Sequence, residues 1–165
     1  MMKKYVYDAI KGGDYRKAIE LLAKEIDCTS ITGPNSMIRL LAPFAKDKQE
    51  GFFVVTLDGA HVPIRLVQIT KGLVNKTVVH PREVYAVALE DRASAIIVAH
   101  NHPSGRLAPS PEDLDVTKTL KDASEIMKIP LLDHLVFGWS MELMAKGIND
   151  GVGIYSMVEN GHMMV

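Results

Sequence analysis

Apolar runs alternate with amphipathic stretches along the chain, and their period separates strands from helices. Short apolar runs bounded by turn residues predict strands over residues 52–57, 64–69, 95–100, 131–137 and 153–157. Apolar residues at helical spacing predict helices that begin at Pro34, Pro81 and Pro111, because proline suits the first turn of a helix. The last of these helices is predicted to end near residue 127. This alternation predicts an α/β fold with a mixed sheet.

The strongest turn signal is the pair Asp58-Gly59, which joins the first two predicted strands. Aspartate followed by glycine favours the tight turns of β-hairpins, since both residues tolerate positive φ. The first two strands are therefore predicted to pair antiparallel.

The first thirty residues carry a helical pattern of their own. Their apolar residues recur at helical spacing, at Ala18, Ile19, Leu21, Leu22 and Ile26. The turn Gly12-Gly13-Asp14 precedes them and offers a helix N-cap, which predicts a helix pair. Turn-forming residues from 29 to 35 predict a boundary near Ser30. The predicted organisation is a helical segment over residues 1–30 and one domain over residues 31–165.

Composition narrows the function classes. The 165 residues are 47% hydrophobic and 24% charged, as in an ordinary folded domain. Nineteen basic and twenty acidic side chains give a net charge of -1, which argues against a protein that coats nucleic acid or an anionic membrane. No apolar run is long enough to span a bilayer. Cys28 is the only cysteine, which fits a reducing compartment, so we expect a cytoplasmic protein without a membrane partner.

The most informative segment begins with His100-Asn101-His102 at the end of a predicted strand. Side chains two apart in a strand point to the same side, with Cα atoms roughly 6.5 Å apart, so the two histidines can converge on one ion. Asp113 follows in the first turn of the next predicted helix. A single cysteine cannot form a thiolate cage, so any metal site must use imidazole and carboxylate ligands. Two imidazoles and one carboxylate would leave the fourth position of Zn²⁺ open, as in catalytic zinc sites.

Other interpretations of these residues remain open. Ser110 and Asp113 also match a helix-capping pattern, and a histidine pair can be hydrogen-bonded structure alone. His134, in a predicted core strand, is either a satisfied core histidine or a partner that orients a metal ligand. The remaining histidines, which occupy turn or terminal contexts, are predicted to lie on the surface: His61, His80 and His162.

Four strings occur in order along the chain: EGFFVVTLD, HPREVYAVALE, AIIVAHNHPSG followed by PSPED, and LLDHLVFG. From about residue 32 onward the chain thereby resembles the RadC-like proteins of the JAMM (or MPN) metalloprotease superfamily. The resemblance implies a cytidine-deaminase-like α/β fold with a mixed, curved sheet flanked by helices.

The resemblance also implies site residues. It implies one zinc ion per chain bound by His100, His102 and Asp113, with Ser110 beside the metal. Glu50 occupies the position of the catalytic acid/base at the start of an early strand, and Glu83 in the helix PREVY is its rival.

These residues predict a zinc metallopeptidase that cleaves a peptide or isopeptide amide in a peptide or protein substrate, using a water molecule activated by Glu50. A DNA-repair-associated, nucleic-acid-interacting factor is the alternative, because RadC-like proteins carry that historical association; the near-neutral charge weighs against it. A non-catalytic MPN scaffold is disfavoured because every catalytic position is filled. Residues 139–150 are predicted to pack on the core, with a contact to a partner or substrate as the alternative.

Overall fold

The computed structural model describes residues 30–72 and 79–164, and a five-stranded mixed sheet runs through this part of the chain. The predicted helical segment at residues 1–30 lies outside the described residues, apart from Ser30. The boundary predicted there stays a prediction.

The strands confirm the predicted pattern and extend it by a few residues at several ends. They are β1 (Glu50–Leu57), β2 (Pro63–Gly72), β3 (Ala95–Asn101), β4 (Leu131–Trp139) and β5 (Val152–Ser156). Their order in the sheet is β2-β1-β3-β4-β5. β3 and β4 are parallel, whereas the other neighbours are antiparallel, including the hairpin predicted at Asp58-Gly59. The sheet is therefore mixed, as predicted.

Three helices begin where proline predicts them. They are α1 (Pro34–Leu41), α2 (Pro81–Glu90) and α3 (Pro111–Met127). A fourth helix, α4 (Met141–Ala145), has only five residues and is too short to produce a periodic apolar pattern. None of the helices in the described residues is both long enough and apolar enough to cross a bilayer.

Helices cover the two faces of the sheet. Alternate residues of β1 point to opposite faces, so Phe53 packs in the cluster that contains α1 while Phe52 packs in the cluster that contains α2 and α3. β3, in the middle of the sheet, is buried along its whole length. Because β3 is buried and paired on both sides, its end is held firmly in place.

The strand register brings distant segments of sequence to one end of the sheet. Phe52 near the start of β1 is paired with His100 near the end of β3. Because β1 and β3 are antiparallel, Glu50 and the histidine motif share this end. The chain then passes through residues 102–110 and enters α3.

The last residue of β4 packs on the core, and the segment that follows β4 is exposed. Trp139 packs against the core, and its Nε1 donates a hydrogen bond to the carbonyl of Asp150 (3.1 Å). Met141, Met144 and Ile148 are exposed. The predicted core packing is therefore confirmed for Trp139 but is wrong for residues 141–150, which are exposed apart from the partly buried Leu143.

Candidate metal centre

Four side chains meet at the shared end of β1 and β3. Glu50, His100, His102 and Asp113 each offer one potential metal-ligating atom, and these four atoms all lie within 4.8 Å of one another. The structure thus brings together Glu50 and all three of the residues proposed from sequence as ligands.

The two histidines face each other through their Nε2 atoms, which are 2.9 Å apart. Asp113 lies beside them, with Oδ1 3.2 Å from Nε2 of His100 and Oδ2 3.5 Å from Nε2 of His102. The side chain of His100 is 1% exposed, that of His102 16% and that of Asp113 13%. The cluster is therefore largely screened from bulk water, while His102 and Asp113 keep some exposure.

A hydrogen bond fixes which nitrogen of His102 is free to bind a cation. Nδ1 of His102 lies 2.7 Å from the carbonyl oxygen of Arg106. Because a carbonyl oxygen can only accept, Nδ1 must carry the proton. In the neutral ring, Nε2 then presents a lone pair to the cluster.

A series of buried hydrogen bonds determines which nitrogen of His100 carries the proton. Thr117 Oγ1 lies 2.6 Å from the carbonyl oxygen of Asp113, and only the threonine can supply the proton between those two oxygens. Nδ1 of His134, 2.6 Å from Thr117 Oγ1, therefore donates to that oxygen. Nε2 of His134 then accepts from Nδ1 of His100 (2.8 Å), which leaves Nε2 of His100 with a lone pair. We call His134 and Thr117 the buried relay.

Burial keeps the buried relay uncharged. His134 is completely buried, and this burial lowers the pKa of its imidazole well below the usual range. A neutral ring holds one proton, so it can donate at one nitrogen and accept at the other, as the buried relay requires.

The electrostatics of the cluster favour a cation. Burial disfavours the charged form of Asp113, but protonation of the neighbouring imidazoles of His100 and His102 at Nε2 would hold the pKa of this carboxyl well below its usual range. The same contact with Asp113 raises the pKa of His102. A carboxylate and two imidazole lone pairs thus converge, and they need a proton or a metal ion among them. This donor set fits Zn²⁺ and other divalent transition metals.

Ser110 and Asp113 also form the helix cap that the sequence pattern allowed. Ser110 Oγ accepts from the main-chain N–H of Asp113 (3.2 Å), and Asp113 Oδ2 accepts from the main-chain N–H of Ser110 (2.6 Å). The Ser110 hydroxyl donates to the same oxygen (2.7 Å). The capping and ligand interpretations are therefore compatible.

The rival glutamate lies elsewhere. Glu83 is exposed in the first turn of α2 and is not one of the four clustered residues. His61, His80 and His162 are exposed, as predicted.

Two buried polar residues beside the site were not singled out from sequence. Thr117 follows Asp113 by four residues on α3, so helical spacing places both on one face and could have indicated it. Asn101, between the two histidines, bonds the main chain at the start of β1, at Gln49 and Gly51. No sequence signal indicates that contact, because its partners are about fifty residues away.

The fold and the four-residue cluster define a JAB-type α/β domain with a candidate metal centre. The family model described as the RadC-like JAB domain matches residues 31–147, and the chain belongs to this family. Matching relatives are called UPF0758 proteins. One from Methanospirillum hungatei JF-1 is 48% identical over 109 residues, which cover 65% of this chain and 48% of the relative.

Two further relatives agree. A UPF0758 protein from Pelobacter propionicus is 47% identical over 91 residues, 55% of this chain and 40% of that protein. One from Staphylococcus aureus (strain NCTC 8325) is 38% identical over 141 residues, 78% of this chain and 65% of that protein. The matches thus span about half of these relatives, and less than two thirds of each.

Proposed function

We propose that the chain is a metal-dependent hydrolase of the metallopeptidase type that cleaves a peptide or isopeptide amide. The observation that carries the proposal is the convergence of Glu50, His100, His102 and Asp113 within 4.8 Å. Two imidazoles and a carboxylate with a further carboxylate beside them are the groups that metal-assisted hydrolysis needs.

In this proposal one zinc ion per chain is held by Nε2 of His100, Nε2 of His102 and the Asp113 carboxylate. When bound, such an ion would lower the pKa of a coordinated water molecule to about 7 and polarise a carbonyl oxygen. The hydrogen bonds that leave both Nε2 atoms with lone pairs support this ligand set. Family membership supports it independently.

Glu50 is the proposed general base and acid. The water oxygen adds to the amide carbonyl carbon while the Glu50 carboxylate takes a water proton. The C–N bond then breaks, and Glu50 delivers that proton to the leaving nitrogen. Its place in the cluster, on β1 while the two histidines lie at the end of β3, supports this role.

Two neighbours have proposed supporting roles. Ser110 lies beside Asp113 and would donate to the developing oxyanion of the substrate, for which its hydroxyl must turn away from Asp113. His134 would orient His100, as partners of metal-ligating histidines generally do, here through a neutral ring instead of a carboxylate.

The other proposed properties follow from sequence. We propose a peptide or protein substrate and a cytoplasmic location. A nucleic-acid-interacting role or a non-catalytic scaffold is disfavoured, the first by the net charge of -1 and the second by the complete set of site residues.

The test is cleavage of fluorogenic peptide and isopeptide libraries by protein loaded with zinc. We expect cleavage that a chelator abolishes and added zinc restores. The double variant His100→Ala/His102→Ala is the inactive control, and His61→Ala/His162→Ala, which changes two exposed histidines, is the active one. Zinc-loaded protein that cleaves neither library, or cleavage that persists in the inactive control, would refute the proposed function.

A further inference from the structure

Asn101 lies between the two candidate histidine ligands but faces the other side of the sheet. Its side chain is completely buried. Oδ1 accepts a hydrogen bond from the main-chain N–H of Gly51 (2.7 Å), and Nδ2 donates to the main-chain carbonyl of Gln49 (3.1 Å). Gln49 and Gly51 are the two residues that flank Glu50. The Asn101 amide therefore holds the backbone on both sides of the proposed general base.

The hydrogen bond between Gly51 and the Asn101 side chain lies just beyond the last residue pair of the β1–β3 ladder. The last paired residues of β1 and β3 at this end are Phe52 and His100. Beyond them Gly51 donates to the Asn101 side chain instead of to a main-chain carbonyl. On the β3 side the Asn101 side chain is thus what holds the backbone at Glu50, while on the other side β2 pairs Gly72 with Glu50.

The backbone at Gly51 is also closely packed. A Cβ at this position would lie 2.5 Å from Nε2 of Gln68 and 3.0 Å from the ring of Phe53. The space beside Gly51 is thus filled by side chains, and the Asn101 hydrogen bonds hold the main chain itself.

We infer that Asn101 is a positioning residue that sets where the Glu50 carboxylate stands relative to the candidate metal ligands. Residues 100–102 would then have two roles. The two histidines would supply two of the metal ligands, and the asparagine between them would position the general base. The inference rests on the proposed function for the role of Glu50. The positional effect itself can be observed without any activity.

The test compares Asn101→Ala with a matched control, Thr56→Val. Thr56 is equally buried near the other end of β1, and its hydroxyl donates to Asp91 (2.7 Å), so the control also removes a hydrogen bond of a buried side chain on the same strand. The first readout is the crystal structure of each zinc-soaked variant. We expect the ligand atoms of His100, His102 and Asp113 to superimpose on the parent in both. The Glu50 carboxylate should be displaced, by about 1 Å or more, only in Asn101→Ala.

The second readout is kinetic. Because displacing a catalytic group by about 1 Å can cost roughly 100-fold in rate, kcat of Asn101→Ala should fall by about that factor. KM and zinc affinity should stay near the parent values, and Thr56→Val should keep parental kcat. In a Glu50→Gln background, Asn101→Ala should lower kcat no further, since it acts through Glu50.

The two proposals fail in different ways. If the parent protein binds zinc but cleaves no amide, the proposed function fails, while the displacement of Glu50 still decides the role of Asn101. An unmoved Glu50 carboxylate in Asn101→Ala, or an equal loss of kcat in Thr56→Val, would overturn the inference. Should Asn101→Ala fail to fold, Asn101→Ser, which keeps a shorter polar side chain, takes its place with the same expected displacement.

Discussion

Ser110 and Asp113 hold each other in a reciprocal cap at the start of α3, and the same Asp113 carboxylate faces both histidines. Oδ2 accepts two hydrogen bonds from Ser110, while Oδ1 lies nearest to His100. A common helix-capping device therefore also fixes the orientation of a candidate metal ligand.

The first prediction concerns metal binding. Purified protein should carry about one zinc ion per chain, and His100→Ala/His102→Ala should carry almost none, because the double substitution removes two of three proposed ligands. Elemental analysis measures both. Chelated protein should keep its circular dichroism spectrum, since a catalytic site lies on an already folded scaffold and is not what folds the chain. Equal zinc content in the double variant would place the metal elsewhere.

The second prediction separates metal binding from proton transfer. Glu50→Gln keeps the size of the side chain but removes the base, so amide turnover should fall by roughly 10²- to 10⁴-fold. Zinc content should not change, because Glu50 is proposed as base and not as ligand. Glu83→Gln is the matched control: Glu83 is exposed on α2, and its loss should leave turnover nearly unchanged. An inactive Glu83→Gln with an active Glu50→Gln would show that the general base had been misassigned.

The sequence predicts the site best where its residues are close along the chain. His100 and His102 are two apart at a strand end, and Asp113 enters with the following helix, so local geometry allows them to converge. Glu50 reaches them only through the antiparallel register of β1 and β3, fifty residues apart. Only the family pattern indicated it. The contact of Asn101 with Gln49 and Gly51 also depends on this strand register, and no sequence pattern indicates it.

The fold shows the same division between local and long-range information. Strands, helix starts and the antiparallel pairing of β1 with β2 follow from period and turn signals, which are local. The connection itself differs from the tight turn that Asp58-Gly59 favours, because it spans residues 58–62 and has its positive φ at His61. The order β2-β1-β3-β4-β5 depends on which strands pair, and hydrophobic pattern alone does not specify it. The short helix α4 (Met141–Ala145) is not predicted from sequence, because five residues cannot display a helical period.

The third prediction concerns alkaline stability. Tyr85 is 3% exposed, and its burial raises the pKa of the phenol to about 12. The folded state thus prefers the neutral phenol, so the stabilising contribution of Tyr85 is complete below pH 10 and is lost as the pH rises toward 12. The loss can reach about 1.4 kcal/mol per pH unit.

Tyr85→Phe tests this contribution. The unfolding free energy of the variant at neutral pH should be lower by about 1 kcal/mol, because the variant lacks the hydrogen bond to the Leu120 carbonyl. Its unfolding free energy should then decline less steeply between pH 10 and 12 than that of the parent, as measured by urea denaturation. Parallel declines in the two proteins would contradict the assignment.

The fourth prediction concerns the loop between the ligands. Gly105 has φ +75°, and a Cβ there would lie 2.6 Å from the carbonyl oxygen of Trp139. Gly161 has the same φ but nothing within 4 Å of a Cβ, which makes it a matched control. Each alanine should cost on the order of 1 kcal/mol for its backbone strain, and Gly105→Ala should cost substantially more because of the added clash. Gly105→Ala should also weaken zinc binding, since this loop joins His102 to Ser110. Equal unfolding free energies for the two variants would show that the loop accommodates a Cβ at residue 105 without a clash.

The last prediction tests the buried relay of His134 and Thr117. Thr117→Val keeps the shape of the side chain but removes the oxygen to which His134 donates and which itself donates to the Asp113 carbonyl. The proton on Nδ1 of His134 then has no acceptor there, and the tautomer that supports His100 is no longer fixed. Zinc affinity, measured by competition with a chelator, should fall by about 10-fold, as with other partners of metal ligands. Thr119→Val is the control, because the Thr119 hydroxyl also bonds the carbonyl four residues back on α3, that of Asp115, but the side chain is exposed. A zinc affinity for Thr117→Val equal to that of Thr119→Val would show that His100 holds its tautomer without the relay.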